Sequence, residues 1–233
     1  MSSPEQLFED RLAADPSRPL VTFYDDATQE RSELSAKSMA NWVAKTHFLI
    51  MDSLGLGPGD RAALALPLHW LAAPILFGCW FAGLEIVTDP TQANVVFGDA
   101  GSLEGLELAG ADEVFAVSML SMARATSPPA GMTDYTTAVR PQPDSWAGVR
   151  AQAGEADAAW NGSSRAQVAA QAHQRAGALG LTTGARLLWS RSPDWLDCLL
   201  APMSVGGSTV LVRHPDPEQR ARHAAAENAT VLC

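Results

Sequence analysis

Residues 54–71, LGLGPGDRAALALPLHWL, return as residues 179–196, LGLTTGARLLWSRSPDWL. Leu, Gly, Leu, Gly, Arg, Trp and Leu recur without a gap, seven of eighteen positions at a constant offset of 125 residues. Solenoid repeats have periods of about 20–50 residues, so this spacing is too long for one. It points to a duplication: two similar lobes in one chain, packed about a pseudo-twofold axis. Each copy reads as a glycine turn, a short apolar strand and an apolar helix.

Local patterning extends this reading. Residues 3–15 predict an amphipathic helix with Leu7, Phe8, Leu12 and Ala13 on one face, stopped by Asp15-Pro16. PLVTFYDD predicts a strand. Ser32 is a candidate N-cap for a long helix carrying Leu34, Met39, Trp42, Val43, Leu49 and Ile50, which Gly55 closes. Strand 62–66, helix 69–82 and strand 85–88 follow, then strand ANVVFGD, helix SLEGLELAG and strand EVFAVSM. Pro128, Pro129, Pro141 and Pro143 mark a linker-like crossing in which YTTAV is expected to dock as a strand. Beyond it come helix 164–179 with Ser164 as cap and Gly180 as stop, strand 186–190 and helix 193–203. A Gly206-Gly207 turn leads to strand STVLVRH, helix DPEQRARHAAAEN and a last strand TVL. Alternating helices and strands predict an α/β fold, two pseudo-repeated lobes with mostly parallel sheets flanked by helices. The expected division is a first lobe at 1–126, the crossing at 127–150 and a second lobe at 151–233.

Composition narrows the function. The chain has 233 residues, 47% hydrophobic and 18% charged, enough for a sizeable core. Its net charge of −10 repels phosphate backbones and anionic lipid, so neither nucleic acid nor membrane is an expected partner. Residues 62–87 are apolar, but Pro67, His69, Pro74 and Gly83 interrupt them and Glu85 lies near the end. They read as strand, helix and strand rather than a membrane span. The polar start MSSPEQLFED is no signal peptide. Cys79, Cys198 and Cys233 form no C-x-x-C, so reduced thiols and a cytoplasmic location are expected. The five histidines show no metal-ligand spacing. There is no G-x-S-x-G, G-x-G-x-x-G or P-loop signature. Lysine occurs only at Lys37 and Lys45; arginine supplies every later cation.

Several segments in order resemble the large N-terminal domain of adenylate-forming enzymes, the AMP-binding superfamily of acyl-CoA synthetases, adenylation domains and luciferases. They are ERSELSAKSMANWVAK (30–45), LGLGPGDRAALALP, AGLEIVTDP (82–90), the second glycine-turn-Arg segment and the later VLV run. The resemblance covers nearly all of residues 5–232 and looks most like a short actinobacterial branch. It implies pseudo-symmetric lobes and a two-step chemistry, in which a carboxylate attacks the α-phosphate of ATP and the acyl-adenylate then meets a thiol. That chemistry implies a Ser/Thr/Gly-rich loop ending in Lys around the polyphosphate, acids for Mg²⁺ and ribose, and a lid domain carrying a second Lys.

In this resemblance the phosphate loop falls at GEADAAWNGSSRAQ (154–167). DAAW supplies the strand, but only Asn161, Gly162, Ser163 and Ser164 separate it from the helix, and no Lys follows. Arg165 opens that helix and is the one cation at hand. NGSSR therefore reads either as a remnant anion site at a helix start or as a simple cap turn, which needs only Ser and Gly. Where the family has a Pro and an aromatic-His pair, this chain has Ser192 and Asp194-Trp195. Trp160 and Trp195 are the candidate walls of any surviving cleft. The candidate ligand-binding residues are thus Trp160, Asn161, Gly162, Ser163, Ser164, Arg165 and Trp195, with no catalytic residue and no metal site.

The expected function is an acyl-CoA synthetase-like protein lacking phosphate loop, metal site and lid, a truncated pseudoenzyme that serves as a ligand- or protein-binding scaffold. No cofactor is expected, weak ATP or AMP binding being the alternative. A homo-dimer paired through the last strand, or an unknown protein partner, is expected. Two other readings stand beside it. One is half of a split adenylate-forming ligase completed by another chain. The other is a small enzyme acting through Ser163 or Ser164, for which no base lies at a recognisable spacing.

Overall fold

A computed structural model describes residues 2–146 and 153–232. Cys233 and the join between crossing and second lobe at 147–152 lie outside the described residues. The fold is α/β.

Helix α1 (Pro4–Ala14) starts at Ser3, whose Oγ accepts the Gln6 amide at 3.2 Å, with Pro4 in the first turn. Its inward stripe is Pro4, Leu7, Phe8 and Arg11. The expected face through Leu12 and Ala13 is shifted, since the three-four spacing counted from Pro4 reaches Arg11 and leaves Ala13 exposed.

Strands β1 (Pro19–Asp25) and β2 (Glu30–Ser35) form an antiparallel hairpin. Ser32 lies in β2 opposite Phe23 and caps nothing. Helix α2 (Ala36–Phe48) instead follows Ser35, whose Oγ accepts the Ser38 amide at 3.1 Å. A π-helical turn, Leu49–Ser53, ends it before Gly55.

β3 (Arg61–Ala65), α3 (Ala72–Phe81) and β4 (Glu85–Val87) resolve the apolar stretch as strand, helix and strand. Among the described residues no helix is long and apolar enough to cross a membrane. β5 (Val95–Gly98), the single-turn α4 (Ala100–Leu103) and β6 (Glu113–Ala116) follow. The expected longer helix at SLEGLELAG stops there because Gly105 turns to φ +79°.

YTTAV is a helix, not a strand. After β7 (Thr133–Asp134) comes α5 (Tyr135–Val139), which Asp134 caps by accepting the Thr137 amide at 2.7 Å. The fully buried Tyr135 hydroxyl meets Thr46 Oγ1 at 2.7 Å. The cap and the buried aromatic outweigh the strand preference of two β-branched threonines.

Next come β8 (Ala158–Trp160), β9 (Ser163–Ser164), α6 (Arg165–Ala178) and β10 (Arg186–Trp189). A π-helical turn (Leu196–Leu200) leads into α7 (Ala201–Ser204), then β11 (Ser208–Arg213), α8 (Pro217–Ala226) and β12 (Val231–Leu232).

Two compact units result, interleaved along the chain. Unit 1 gathers Met1–Met39, Leu68–Ala73 and Ala166–Cys233; unit 2 gathers Ala40–Pro67 and Pro74–Arg165. Unit 1 holds a five-stranded sheet of order β12-β10-β11-β1-β2, and unit 2 a seven-stranded sheet of order β7-β6-β5-β3-β4-β8-β9. Every pairing is parallel except the hairpins β1–β2 and β8–β9.

The duplication is visible strand by strand. β5-β3-β4-β8-β9 has the order and directions of β12-β10-β11-β1-β2. Each hairpin lies in the sheet whose other three matched strands come from the other copy. The repeated residues explain themselves locally. Gly55 and Gly180 both have positive φ, +70° and +69°, where a helix must reverse into a strand. Arg61 and Arg186 open equivalent strands. The Arg61 amide donates to Asn94 Oδ1, and the Arg186 amide to Thr230 Oγ1, each at 3.0 Å. Both side chains brace the neighbouring strand: Arg61 faces Glu85 at 3.5 Å, and Arg186 donates to Ser208 Oγ at 3.0 Å.

Unit 1 also buries polar groups. Arg186 bridges Thr22 and Glu227, and Glu227 takes the Tyr24 hydroxyl at 2.6 Å. Asp25 meets His214 and Arg213, and Asp26 meets His223. The Cys79 and Cys198 thiols are buried, which pushes both up from their ordinary range. His69 is buried edge-on to Phe23, with ring centroids 4.8 Å apart. Its Nδ1 accepts the Leu71 amide, which places the proton of the neutral ring on Nε2. Burial first, and Arg213 second, lower its pKa to about 3, with Asp25 opposing.

The folded His69 thus refuses a proton that the unfolded chain accepts at the ordinary histidine value. Its contribution to stability is complete above that value and is lost as pH falls toward 3. Between about pH 7.5 and pH 5 the loss amounts to about 2 kcal/mol. Urea unfolding at both pH values should show this loss in the native chain and a clearly smaller one in His69→Leu.

Candidate functional site

Six of the seven candidate residues fall together in unit 2. Asn-Gly between two strands is a strong hairpin signal, because a type I′ turn needs positive φ at both central residues. Asn161 has φ +44° and Gly162 φ +79°, and Trp160 pairs with Ser163 across them. The turn is therefore the tip of the β8–β9 hairpin rather than a helix cap, with Ser163 and Ser164 in β9 and Arg165 at the start of α6.

Three of the turn's polar groups bond to protein. The Gly162 amide donates to Glu85 Oε1 at 2.6 Å. Asn161 Oδ1 accepts from the Thr88 amide at 3.0 Å, and the Asn161 amide donates to the Ile86 carbonyl at 2.9 Å. Arg165 is only 1% exposed. Its Nη1 donates to the Ala158 carbonyl at 2.7 Å and its Nη2 to the Trp80 carbonyl at 3.1 Å. Trp80 completes the lattice by donating Nε1–H to the Ala159 carbonyl at 3.0 Å. Trp160 is half-buried, its ring centroid 6.1 Å from that of Trp80.

A cavity of about 300 Å³ adjoins the hairpin, lined by Pro58, Gly59, Gly83, Glu85, Asp157 and Ala158. Both charged residues on its wall are acids. Asp157 accepts the Gly154 amide at 2.6 Å, and its carbonyl takes the Arg165 amide at 2.9 Å. Sequence reading noted Glu85 only as an acid ending an apolar run and missed Asp157. A lone acid after so apolar a stretch was the available signal, since it needs a donor when partly buried.

Trp195 belongs to unit 1. It is 6% exposed and precedes the π-helical turn Leu196–Leu200. Asp194 caps that turn, accepting the Asp197 amide at 3.1 Å. Arg175 on α6 forms an ion pair with Asp197. Among the described residues no group of three or more His, Cys, Asp or Glu side chains is placed to hold a metal ion.

No model of a protein family matches the chain. A protein of Mycobacterium tuberculosis described as a TIGR03089 family protein is 39% identical over 234 aligned residues, 96% of this chain and 95% of that protein. The chain belongs to that family. Solved structures of similar fold are larger. Acetoacetyl-CoA synthetase from Streptomyces lividans matches 99% of this chain with a TM-score of 0.80 at 18% identity. An acyl-CoA synthetase of Brucella canis matches 99% at 0.76 and 18%. A fatty acyl-adenylate ligase from L. pneumophila, solved with acyl adenylate and pyrophosphate, matches 99% at 0.69 and 14%. The chain spans 42%, 46% and 44% of those three. At these identities the fold is what they share: this family member has the architecture of acyl-CoA synthetases over that span.

The geometry of the turn generates a prediction. Gly162→Ala forces an L-residue into φ +79° at the hairpin tip and should cost about 1 kcal/mol or more in urea unfolding. Arg165→Met removes the buried donors to the Ala158 and Trp80 carbonyls, the latter keeping the Gly83 amide at 2.9 Å, and should cost about 1–3 kcal/mol in the same measurement.

Proposed function

We propose that this acyl-CoA synthetase-like chain does not itself adenylate carboxylic acids and acts as a binding scaffold, for a small ligand or for a protein partner. The bond from the Gly162 amide to Glu85 carries the reading. An amide that would have to face a polyphosphate oxygen already faces a carboxylate of the same chain. Of the two arginines beside the turn, Arg165 donates to the Ala158 and Trp80 carbonyls and Arg61 faces Glu85 at 3.5 Å. A triphosphate brought there would meet Glu85 and Asp157 and be repelled. Lysine beyond Lys45 is absent from the sequence, so no flexible ammonium from this chain is available to offset that repulsion. On this reading the chain uses no cofactor, works in the cytoplasm with reduced thiols, and pairs as a homo-dimer through β12, which lies at a sheet edge.

A second reading, one half of a split ligase, is favoured by the chain's spanning only 42–46% of two acyl-CoA synthetases of the same fold. In that case a second polypeptide supplies the phosphate-binding cations and the lid.

Exchange of labelled pyrophosphate into ATP, run with a panel of short, long and aromatic carboxylic acids, separates these. The purified chain should give no exchange above buffer. Exchange by the chain alone contradicts the scaffold reading. Exchange that appears only with a stoichiometric partner captured from the native host supports the split ligase.

A further inference from the structure

Unit 1 contains a cavity of about 450 Å³ between α1 and α7. The buried Leu7 of α1 and Met203 of α7 form apolar wall. Arg11 of α1 also lines it, and this arginine is 93% buried, with 7% of its surface exposed. Its Nε is wholly shielded from solvent and has no hydrogen-bond partner among the described residues. Among those residues no carboxylate forms an ion pair with it; Asp15 and Arg18 act on it only at longer range. Burial first, and Arg18 second, lower its pKa from the ordinary arginine value, Asp15 opposing. Every other deeply buried arginine here is engaged: Arg165 on two carbonyls, Arg186 on Glu227, Thr22 and Ser208.

A guanidinium stays charged inside proteins and offers five donors in a planar fork. Its shielded Nε goes without a partner at a cost, and a carboxylate is the partner whose two oxygens match the two terminal nitrogens of the fork. The cavity's size lies in the range of small-molecule sites, and its wall is part apolar. Asp10, also on the wall, holds the Gln6 side chain at 2.7 Å and disfavours a polyanion. His173 is the remaining titratable group on the wall.

We propose that this cavity binds a small organic monocarboxylate, its carboxylate on Arg11 and its apolar body against Leu7 and Met203. The proposal gives the scaffold reading a ligand class and a place. It rests on that reading only for its purpose, because binding here is measured without ATP and survives or fails independently of pyrophosphate exchange.

The test is titration of the whole chain with hexanoate, its neutral isostere hexanamide, and inorganic phosphate, followed by the methyl resonances of Leu7 and Met203 and by melting temperature. Hexanoate should shift both methyls saturably and raise the melting temperature below about 10 mM, with hexanamide and phosphate at least about tenfold weaker. Arg11→Gln should weaken hexanoate by about tenfold or more. Should Arg11→Gln not fold, Ala14→Trp, at an exposed position on the cavity wall, should block hexanoate in a folded chain. No saturable hexanoate shift, equal binding of hexanamide, preferential binding of phosphate, or full affinity in the folded variants would each overturn the proposal.

Discussion

The hydrogen bond from the Gly162 amide to the Glu85 carboxylate joins the tip of a hairpin to the strand beside it. Glu85 opens β4, so the bond ties the β8–β9 hairpin to the central part of the seven-stranded sheet. Only one residue pair, Ile86 with Trp160, is in register between β4 and β8. So short a ladder holds poorly alone. The turn contacts to Glu85, Thr88 and Ile86, with the Arg165 fork on Ala158 and Trp80, make up the difference. On the scaffold reading proposed above, the donors that secure the hairpin are thereby withheld from a phosphate. Holding the sheet together and holding a polyphosphate are competing uses of the same donors.

The fold's plan was legible where geometry is local. A glycine that must adopt positive φ after a helix cannot be replaced cheaply, so Gly55 and Gly180 kept the 125-residue offset visible. Arg61 and Arg186 kept it for a related reason, each fastening the first residue of a central strand to its neighbours. The exchange of hairpins between the copies was not legible. β1 pairs with β11, across nearly the whole chain, and an apolar strand carries no mark of which parallel partner it will take. Ser32 and YTTAV misled because composition favoured one state and a neighbouring cap, Ser35 or Asp134, decided another.

The candidate site was legible as a place but not as a state. Asn-Gly between two short runs announced a turn. That Arg165 points at carbonyls could not be read, because backbone acceptors leave no trace in sequence. Arg11 was hidden differently: charge suggests the outside of a helix, yet its position seven residues after Pro4 puts it on the buried stripe. Likeness to acyl-CoA synthetases fixes the scaffold, and at under 20% identity it fixes no more than that.

The most direct measurement is the amide ¹H–¹⁵N resonance of Gly162 during titration with Mg²⁺-ATP. The account predicts a proton shifted downfield by its short bond to a carboxylate and unmoved by nucleotide up to about 5 mM. A saturable displacement of that resonance by ATP, with Glu85 released from the turn, would contradict it.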